Sequence, residues 1–137
     1  MTPHFTLAEL IRSDTAMKRG IDNTPRLADL RRMLVLCKVL LEPLREEVGP
    51  LIVTSGYRSA ELNAVIGGVT GSAHRFGCAA DVVPARCSVE EAWLAAKRLE
   101  LPYDQAIWER KGASEWLHIA IERPGDSPRS MHFKIWR

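Results

Sequence analysis

Cysteine is scarce in this sequence, and its spacing does not indicate a disulfide framework. Only three cysteines occur among 137 residues, at Cys37, Cys78 and Cys87, and no two of them form a Cys-x-x-Cys pair. An odd number without paired spacing argues against a network of disulfides. Cys37 also lies within an apolar helical pattern, which is typical of a small core residue. We therefore expect no disulfide framework.

Long apolar runs and a strong net charge are also absent. No stretch approaches the roughly 18 apolar residues that a transmembrane helix needs. The N-terminal stretch MTPHFTLAELIRSD lacks the basic start and the apolar run of a secretory signal. The formal net charge is +2, and no run of Lys and Arg exceeds two residues, which does not favour a nucleic-acid or membrane partner. We expect a protein made in the cytoplasm, without membrane insertion and without a nucleic-acid partner.

The composition that remains is that of an ordinary globular domain. Hydrophobic residues make up 46% of the chain and charged residues 26%, which is common in folded domains. A chain of this length buries roughly two thirds of the surface that its unfolded form exposes. No internal repeat, linker or low-complexity segment is visible. We predict a single domain over residues 1–137 and expect a monomer.

Capping residues and apolar periodicity predict an α+β fold. Thr6 and Glu9 form a capping-box pattern at the start of a short helix, and Pro25 fits the first turn of a long amphipathic helix that runs to about residue 48. Pro43 is expected to bend or tighten the last turns of that helix. Further helices are predicted at about 59–65 and 88–99, and strands at 51–54, 79–83, 103–108, 116–121 and 131–136. This order predicts a small, mostly antiparallel sheet with helices packed on one side.

Three residues of this pattern are candidate metal ligands. In the strand around His118 the aliphatic side chains share one face, so His118 projects from the other face. Asp81 lies in an otherwise apolar strand, where a carboxylate is costly to bury unless it is paired or bound to a metal. His74 lies in a loop seven residues before Asp81. Two histidines and one carboxylate form a common catalytic zinc set, although a lone histidine is more often a surface residue and a lone buried aspartate more often a cap or an ion-pair partner.

Glu115 is the candidate general base, because it precedes His118 by three residues and zinc hydrolases need a carboxylate beside the attacking water. Strict strand alternation, however, puts Glu115 on the face opposite His118. The turn at residues 112–114 or a β-bulge must redirect it for this role. The next candidates for the base are Glu109 and Glu122.

The ordered motifs resemble a family of zinc peptidases that cut peptidoglycan stem peptides. Ser72-x-His74-x-x-Gly77-x-Ala79-x-Asp81, followed by Glu115-x-x-His118, is similar to the D-Ala-D-Ala carboxypeptidases and L-alanyl-D-glutamate endopeptidases, which share their core fold with the hedgehog signalling domain. The segments at 53–59 and 103–109 also resemble that family, the latter its compact phage and prophage members. The resemblance extends from about Phe5 to Ile121.

The resemblance implies a role for each matching residue. It implies that His74, Asp81 and His118 hold one Zn²⁺ per chain, that Glu115 is the general base, and that Arg58 binds the substrate and stabilises the oxyanion, a task suited to a fixed guanidinium. Arg58 is alternatively a surface ion-pair residue. Two further residues are expected at the substrate: Ser72, which positions the substrate or orders its loop, and Gln105, which lines the cleft, although a polar residue on a half-exposed strand needs no function. Cys78 occupies a variable position of the motif and is not expected to be a ligand.

These expectations together describe a zinc-dependent metallopeptidase that hydrolyses a bond in the peptidoglycan stem, as a carboxypeptidase or an endopeptidase. The alternatives are a non-catalytic zinc-binding module of the same fold and an accessory component of a virion or lysis complex. The presence of Glu115 favours the enzyme over the module. By analogy with phage members, the expected site of action is the bacterial cell wall, reached either by a phage endolysin after membrane lysis or by a virion component.

Overall fold

A computed structural model describes all residues from Met1 to Arg137. The elements follow one another along the chain as α1 (Leu7–Ile11), α2 (Asp14–Arg19), α3 (Leu27–Leu36), a π-helical turn (Cys37–Leu41), α4 (Glu42–Val48), β1 (Leu51–Ser55), α5 (Ala60–Val65), a 3₁₀ turn (Ala73–Phe76), β2 (Ala79–Pro84), α6 (Val89–Arg98), β3 (Gln105–Lys111), β4 (Ser114–Ala120) and β5 (Met131–Trp136).

The five strands form one sheet in the order β1-β2-β4-β3-β5. All neighbouring strands are antiparallel except β3 and β5, which are parallel. The central strand β4 places Leu117 and Ile119 in the core with no exposed surface. Helix α6 packs on this face, where the indole Nε1 of Trp93 donates to the carbonyl oxygen of Ala106 over 3.1 Å. The α+β fold with a mostly antiparallel sheet, predicted from the sequence, is therefore confirmed.

The long helix after Pro25 is interrupted by a π-helical turn. The backbone N–H of Glu42 bonds to the carbonyl oxygen of Cys37, five residues back. Proline lacks an N–H and its ring clashes with the carbonyl four residues before it, and a wider turn just ahead of Pro43 relieves that clash. The turn before Pro43 is therefore widened and not tightened, in contrast to one of the two effects expected of this proline.

The apolar core side of this long amphipathic helix begins only after its first turns. Leu27 is 65% exposed, and the buried positions start at Met33 and continue into the π-helical turn and α4. The side chain that is buried in the first turn is Asp29, which binds Arg26 and Arg32 through its two carboxylate oxygens. The first half of α3 is thus fixed by an ionic network and the second half by the core.

A tight hairpin joins β3 and β4 and sets the faces of their side chains. Lys111 pairs with Ser114, so the loop between them consists of two residues, with Gly112 at φ +60°. The register continues without a bulge to the pair of Gln105 with Ala120. Every second side chain of each strand therefore projects to the same side of the sheet over the whole hairpin.

None of the helices has both the length and the apolar composition needed to span a membrane.

Candidate metal centre and catalytic cleft

His74, Asp81 and His118 come together on the face of the sheet that α6 does not cover. Asp81 on β2 pairs directly with His118 on β4, and the 3₁₀ turn brings His74 beside them. The Oδ1 atom of Asp81 lies 3.0 Å from Nδ1 of His118 and 3.4 Å from Nε2 of His74. One nitrogen or oxygen of each residue lies within 4.8 Å of the other two. This separation is suited to three ligands that share one small cation.

The turn that carries His74 is held by short-range backbone geometry. Ser72 caps it, since its Oγ accepts from the N–H of His74 over 3.3 Å. Gly77 ends it at φ +73°, in the left-handed region that favours glycine. A Cβ at Gly77 would also lie 2.5 Å from the carbonyl oxygen of Asp29. Only glycine therefore lets the turn pack against α3 and place His74 at the site.

Gly56 orients the ring of His74. Its carbonyl oxygen lies 2.7 Å from Nδ1 of His74, so Nδ1–H donates to it and Nε2 is turned towards Asp81. The backbone at Gly56 is itself in close contact with α1, because a Cβ there would lie 2.2 Å from the carbonyl oxygen of Leu10. The adjoining N–H of Tyr57 donates to that same carbonyl over 2.7 Å.

Asp81 is ionised within this group. Burial raises the pKa of its carboxyl group, but the charges and hydrogen bonds of His74 and His118 outweigh burial and hold the pKa well below its ordinary value. The side chains of the three residues are between 4% and 12% exposed. A carboxylate with two imidazoles in such a sheltered place offers the negative charge and the nitrogen donors that a divalent transition metal prefers.

Arg58 lies beside the three residues. Its guanidinium NH2 atom is 3.8 Å from Oδ2 of Asp81, and its Nε donates to Oγ of Ser55 over 3.3 Å. Burial lowers the pKa of the guanidinium, and the carboxylates of Asp81 and Glu109 oppose that effect. Because its side chain is only 18% exposed, Arg58 is not an ordinary surface ion-pair residue.

A cleft of about 480 Å³ opens over this group. A second cavity of about 250 Å³ adjoins it, and the two share Val69, Ser72, Glu109 and His118. The first is lined by Arg58, Ile66, Gly67, Gly68, Val69, Ser72, His74, Asp81, Glu109, Lys111, Trp116, His118 and Arg137. The lining is thus largely polar, and besides the candidate ligands it contains three cations, Arg58, Lys111 and Arg137.

Glu115 does not join this group. It pairs with Arg110 across the hairpin, and its Oε1 accepts from Nε1 of Trp108 over 2.7 Å and from Arg110 over 3.4 Å. Since the register has no bulge between Glu115 and His118, the two side chains project from opposite faces. The expectation that a turn redirects Glu115 towards His118 is therefore corrected by the regular hairpin.

Glu109 is the glutamate on the cleft face. It pairs with Trp116, whose indole Nε1 donates to Oε2 of Glu109 over 3.3 Å. Arg137 donates to Oε1 of the same carboxylate over 2.7 Å. Ile107, two residues before Glu109, pairs with His118, so Glu109 and His118 are diagonal neighbours on one face. Glu109 can be found from the sequence once the turn is known. Trp116 lies two residues before His118 on the same face, and Glu109 is the residue that pairs with Trp116 across the hairpin.

A family model described as Peptidase M15 matches residues 3–120. The chain belongs to this peptidase family. No curated protein matches the chain closely. The family agrees with the resemblance read from the motifs, and the match covers α1 to β4 and so includes all three candidate ligands, Arg58 and both glutamates of the hairpin.

The geometry fits the metal that M15 peptidases use. The donor set is one carboxylate and two imidazoles, and the ring of His74 is fixed by a backbone acceptor, as is usual for histidine ligands of zinc. Cys78 does not compete as a thiolate: it is fully buried, and burial raises its pKa to about 11. The residues present therefore match a three-ligand zinc site that leaves a position open.

The remaining residues predicted for this M15 site have distinct positions. Ser72 lines both cavities, while its Oγ is occupied in part by the N–H of His74. Gln105 lines the smaller cavity, and its Oε1 lies 3.0 Å from Nε2 of His118. Sequence reasoning did not single out Lys111 or Arg137, and it interpreted Trp116 as a packing residue; all three line the cleft.

Proposed function

We propose that this member of the M15 family is a zinc-dependent peptidase that cleaves a peptide bond in the peptidoglycan stem. The observation that carries the proposal is the meeting of His74, Asp81 and His118 in one cleft with a carboxylate and a guanidinium beside them. A non-catalytic zinc module needs only the three ligands. The additional presence of Glu109 and Arg58 in the same cleft favours an enzyme.

When bound by the three ligands, zinc supplies Lewis-acid polarisation of the scissile carbonyl and of the attacking water. Glu109 is the general base in this proposal, in place of Glu115. It takes a proton from the attacking water and passes it to the leaving amine. Trp116 and Arg137 each occupy one oxygen of the Glu109 carboxylate and so hold its orientation.

Arg58 has the role of oxyanion donor. The guanidinium is anchored through Nε by Ser55 and lies on the edge of the ligand group, so its NH groups point at a fixed place. A donor held in position needs no reorganisation when negative charge develops on the carbonyl oxygen. Ser72, on the border of the two cavities, contacts the substrate backbone.

The cations of the cleft support an acidic substrate. Lys111 and Arg137 line the same cavity as Arg58, and stem peptides of peptidoglycan carry several carboxylates. Action at the bacterial cell wall follows from a peptidoglycan substrate. The role of a phage endolysin is a further part of this proposal.

Two measurements test the proposal together. Protein purified without added metal should contain, or take up on reconstitution, one zinc per chain, and the zinc-loaded protein should release new amino groups from purified peptidoglycan. Chelation should abolish that release, while the helical core keeps the fold. Mass analysis of products from defined stem peptides then names the bond. Zinc uptake without any release of amino groups would return the chain to the non-catalytic module, and no zinc uptake would overturn the metal site itself.

A further inference from the structure

The strand alternation that places His118 in the cleft also places Gln105 beside it. Gln105 pairs with Ala120 across the β3–β4 hairpin, and Ile107 pairs with His118. Gln105 and His118 are therefore diagonal neighbours on one face, about 7–8 Å apart, which a long side chain can bridge. The Oε1 atom of Gln105 reaches to 3.0 Å from Nε2 of His118.

The opposite nitrogen of the same ring faces the other two ligands. Nδ1 of His118 lies 3.0 Å from Oδ1 of Asp81, and the ring centroids of His118 and His74 are 5.2 Å apart. A histidine that binds a metal presents an unprotonated nitrogen and carries its single ring proton on the other one. For His118 to bind through Nδ1, the proton must be on Nε2, where it needs an acceptor.

We propose that Gln105 is a positioning residue for the metal: its carbonyl oxygen accepts the Nε2–H of His118, fixes that tautomer and leaves Nδ1 free as the metal ligand. The inference rests on the zinc site proposed above. In this inference Gln105 does not bind the substrate, contrary to the expectation from the sequence; it contacts a metal ligand, His118, without binding the metal itself.

The two histidines of the site then use opposite nitrogens. His74 donates Nδ1–H to the backbone of Gly56 and presents Nε2, whereas His118 donates Nε2–H to a side chain and presents Nδ1. A backbone acceptor is present whatever the residue, but a side-chain acceptor is lost on mutation. The hydrogen bond that orients His118 therefore depends on the identity of residue 105, whereas the acceptor for Nδ1–H of His74 is a backbone carbonyl.

The experiment measures zinc affinity by competition with a chelating indicator for the parent and three variants. Gln105→Met keeps the length of the side chain but removes the acceptor, and it should lose about 10- to 100-fold in zinc affinity, the usual effect of a lost partner of a ligand. Gln105→Glu keeps an acceptor and should bind zinc at least as tightly as the parent. Glu109→Gln changes the same face of the same strand without touching a ligand, and its zinc affinity should equal the parent value.

A spectroscopic readout tests the tautomer in the parent protein alone. In zinc-loaded protein with ¹⁵N-labelled histidine, Nδ1 of His118 should show the shift of a metal-bound nitrogen, and its Nε2–H should be protected from exchange with solvent. Binding through Nε2, parent affinity in Gln105→Met, or an equal loss in Gln105→Glu would each overturn the inference. If the parent itself binds no zinc, the proposed function fails first, so the two failures are distinguishable.

Discussion

The β3–β4 hairpin carries two glutamates with almost the same local contacts on opposite faces of the sheet. Glu109 accepts from the indole of Trp116 and from Arg137, while Glu115 accepts from the indole of Trp108 and from Arg110. The first carboxylate lies in the cleft with the candidate ligands. The second lies with the aromatic side chains on the face of α6.

The comparison shows that local contacts alone do not place a carboxylate in the cleft. Both glutamates are bonded to one tryptophan and one arginine, yet one of them shares a cavity with His74, Asp81 and His118. The two glutamates differ in the face of the sheet from which they project. Because the pairing of β3 with β4 has no bulge, that face is set by the alternation of side chains along each strand. The two faces of one hairpin thus provide a test with an internal control.

The largest expected effect is on the base. Glu109→Gln keeps the size of the side chain but removes the proton acceptor, so kcat on a stem peptide should fall at least ~10²-fold. Glu115→Gln removes a carboxylate with matching contacts from the other face and should leave kcat at the parent value. Steady-state kinetics of the zinc-loaded variants, with circular dichroism to verify folding, make the measurement.

The reverse result has a clear meaning for this pair. A large loss in Glu115→Gln together with full activity in Glu109→Gln would show that the hairpin rearranges when substrate binds, and Glu115 would be the base. Loss of zinc in Glu109→Gln would instead make Glu109 a ligand.

A smaller effect is expected for the arginines of the two faces. Arg58→Lys keeps the charge but loses the planar donor group, and kcat should fall by about tenfold or more if Arg58 stabilises the oxyanion. Arg110, whose guanidinium lies 4.3 Å from the ring centroid of Trp136 on the other face, is the control. Arg110→Lys should have the kcat of the parent, and equal kinetics for both variants would restore the surface role of Arg58.

The smallest effect concerns stability and its dependence on pH. Asp104 is 2% exposed and accepts from the backbone N–H, Nε and NH2 of Arg129, and these bonds hold its pKa below the ordinary 3.8. A carboxylate with a lowered pKa stabilises the fold at pH values above about 4, and that contribution is lost as pH falls through the folded-state pKa. Asp104→Asn should therefore lower the free energy of unfolding at pH 7 by about 1–3 kcal/mol.

The difference between Asp104→Asn and the parent should shrink when denaturant unfolding is repeated below pH 4. Asp126→Asn is the control, since Asp126 is exposed and contacts Arg123 at 3.5 Å; it should change stability little at either pH. A difference for Asp104→Asn that is independent of pH would assign its effect to packing.

Sequence reasoning predicted most of the sheet because apolar alternation has a fixed period. The strand expected at 79–83 is Ala79–Pro84, and the one expected at 116–121 is Ser114–Ala120. The meeting of His74, Asp81 and His118 also follows from motif order. The segment 25–48 was predicted as one continuous helix. Its π-helical turn depends on how the backbone accommodates Pro43, and the spacing of the apolar residues does not reveal this.

The expected position of Glu115 beside His118 is wrong, because the Glu115-x-x-His118 spacing and strand parity disagree; which glutamate acts as the base stays a prediction. Parity decides the face of a side chain in a regular hairpin, and only the pairing of Lys111 with Ser114 establishes that no bulge intervenes. The contact of Gln105 with His118 is likewise a cross-strand relation. Cross-strand contacts can be predicted only when the register of the two strands is known, and the register depends on the length of the turn between them.

The contact of Gly56 with Leu10 links the metal centre to the first helix of the chain. The N–H of Tyr57, which follows Gly56, donates to the carbonyl oxygen of Leu10 in α1, and the carbonyl oxygen of Gly56 accepts from Nδ1–H of His74. Because Gly56 and Tyr57 make these contacts with their backbone, substitution of cleft side chains other than His74 would not remove them. Shortening or replacing α1 would therefore disturb the orientation of the His74 imidazole without changing any of the three candidate ligands.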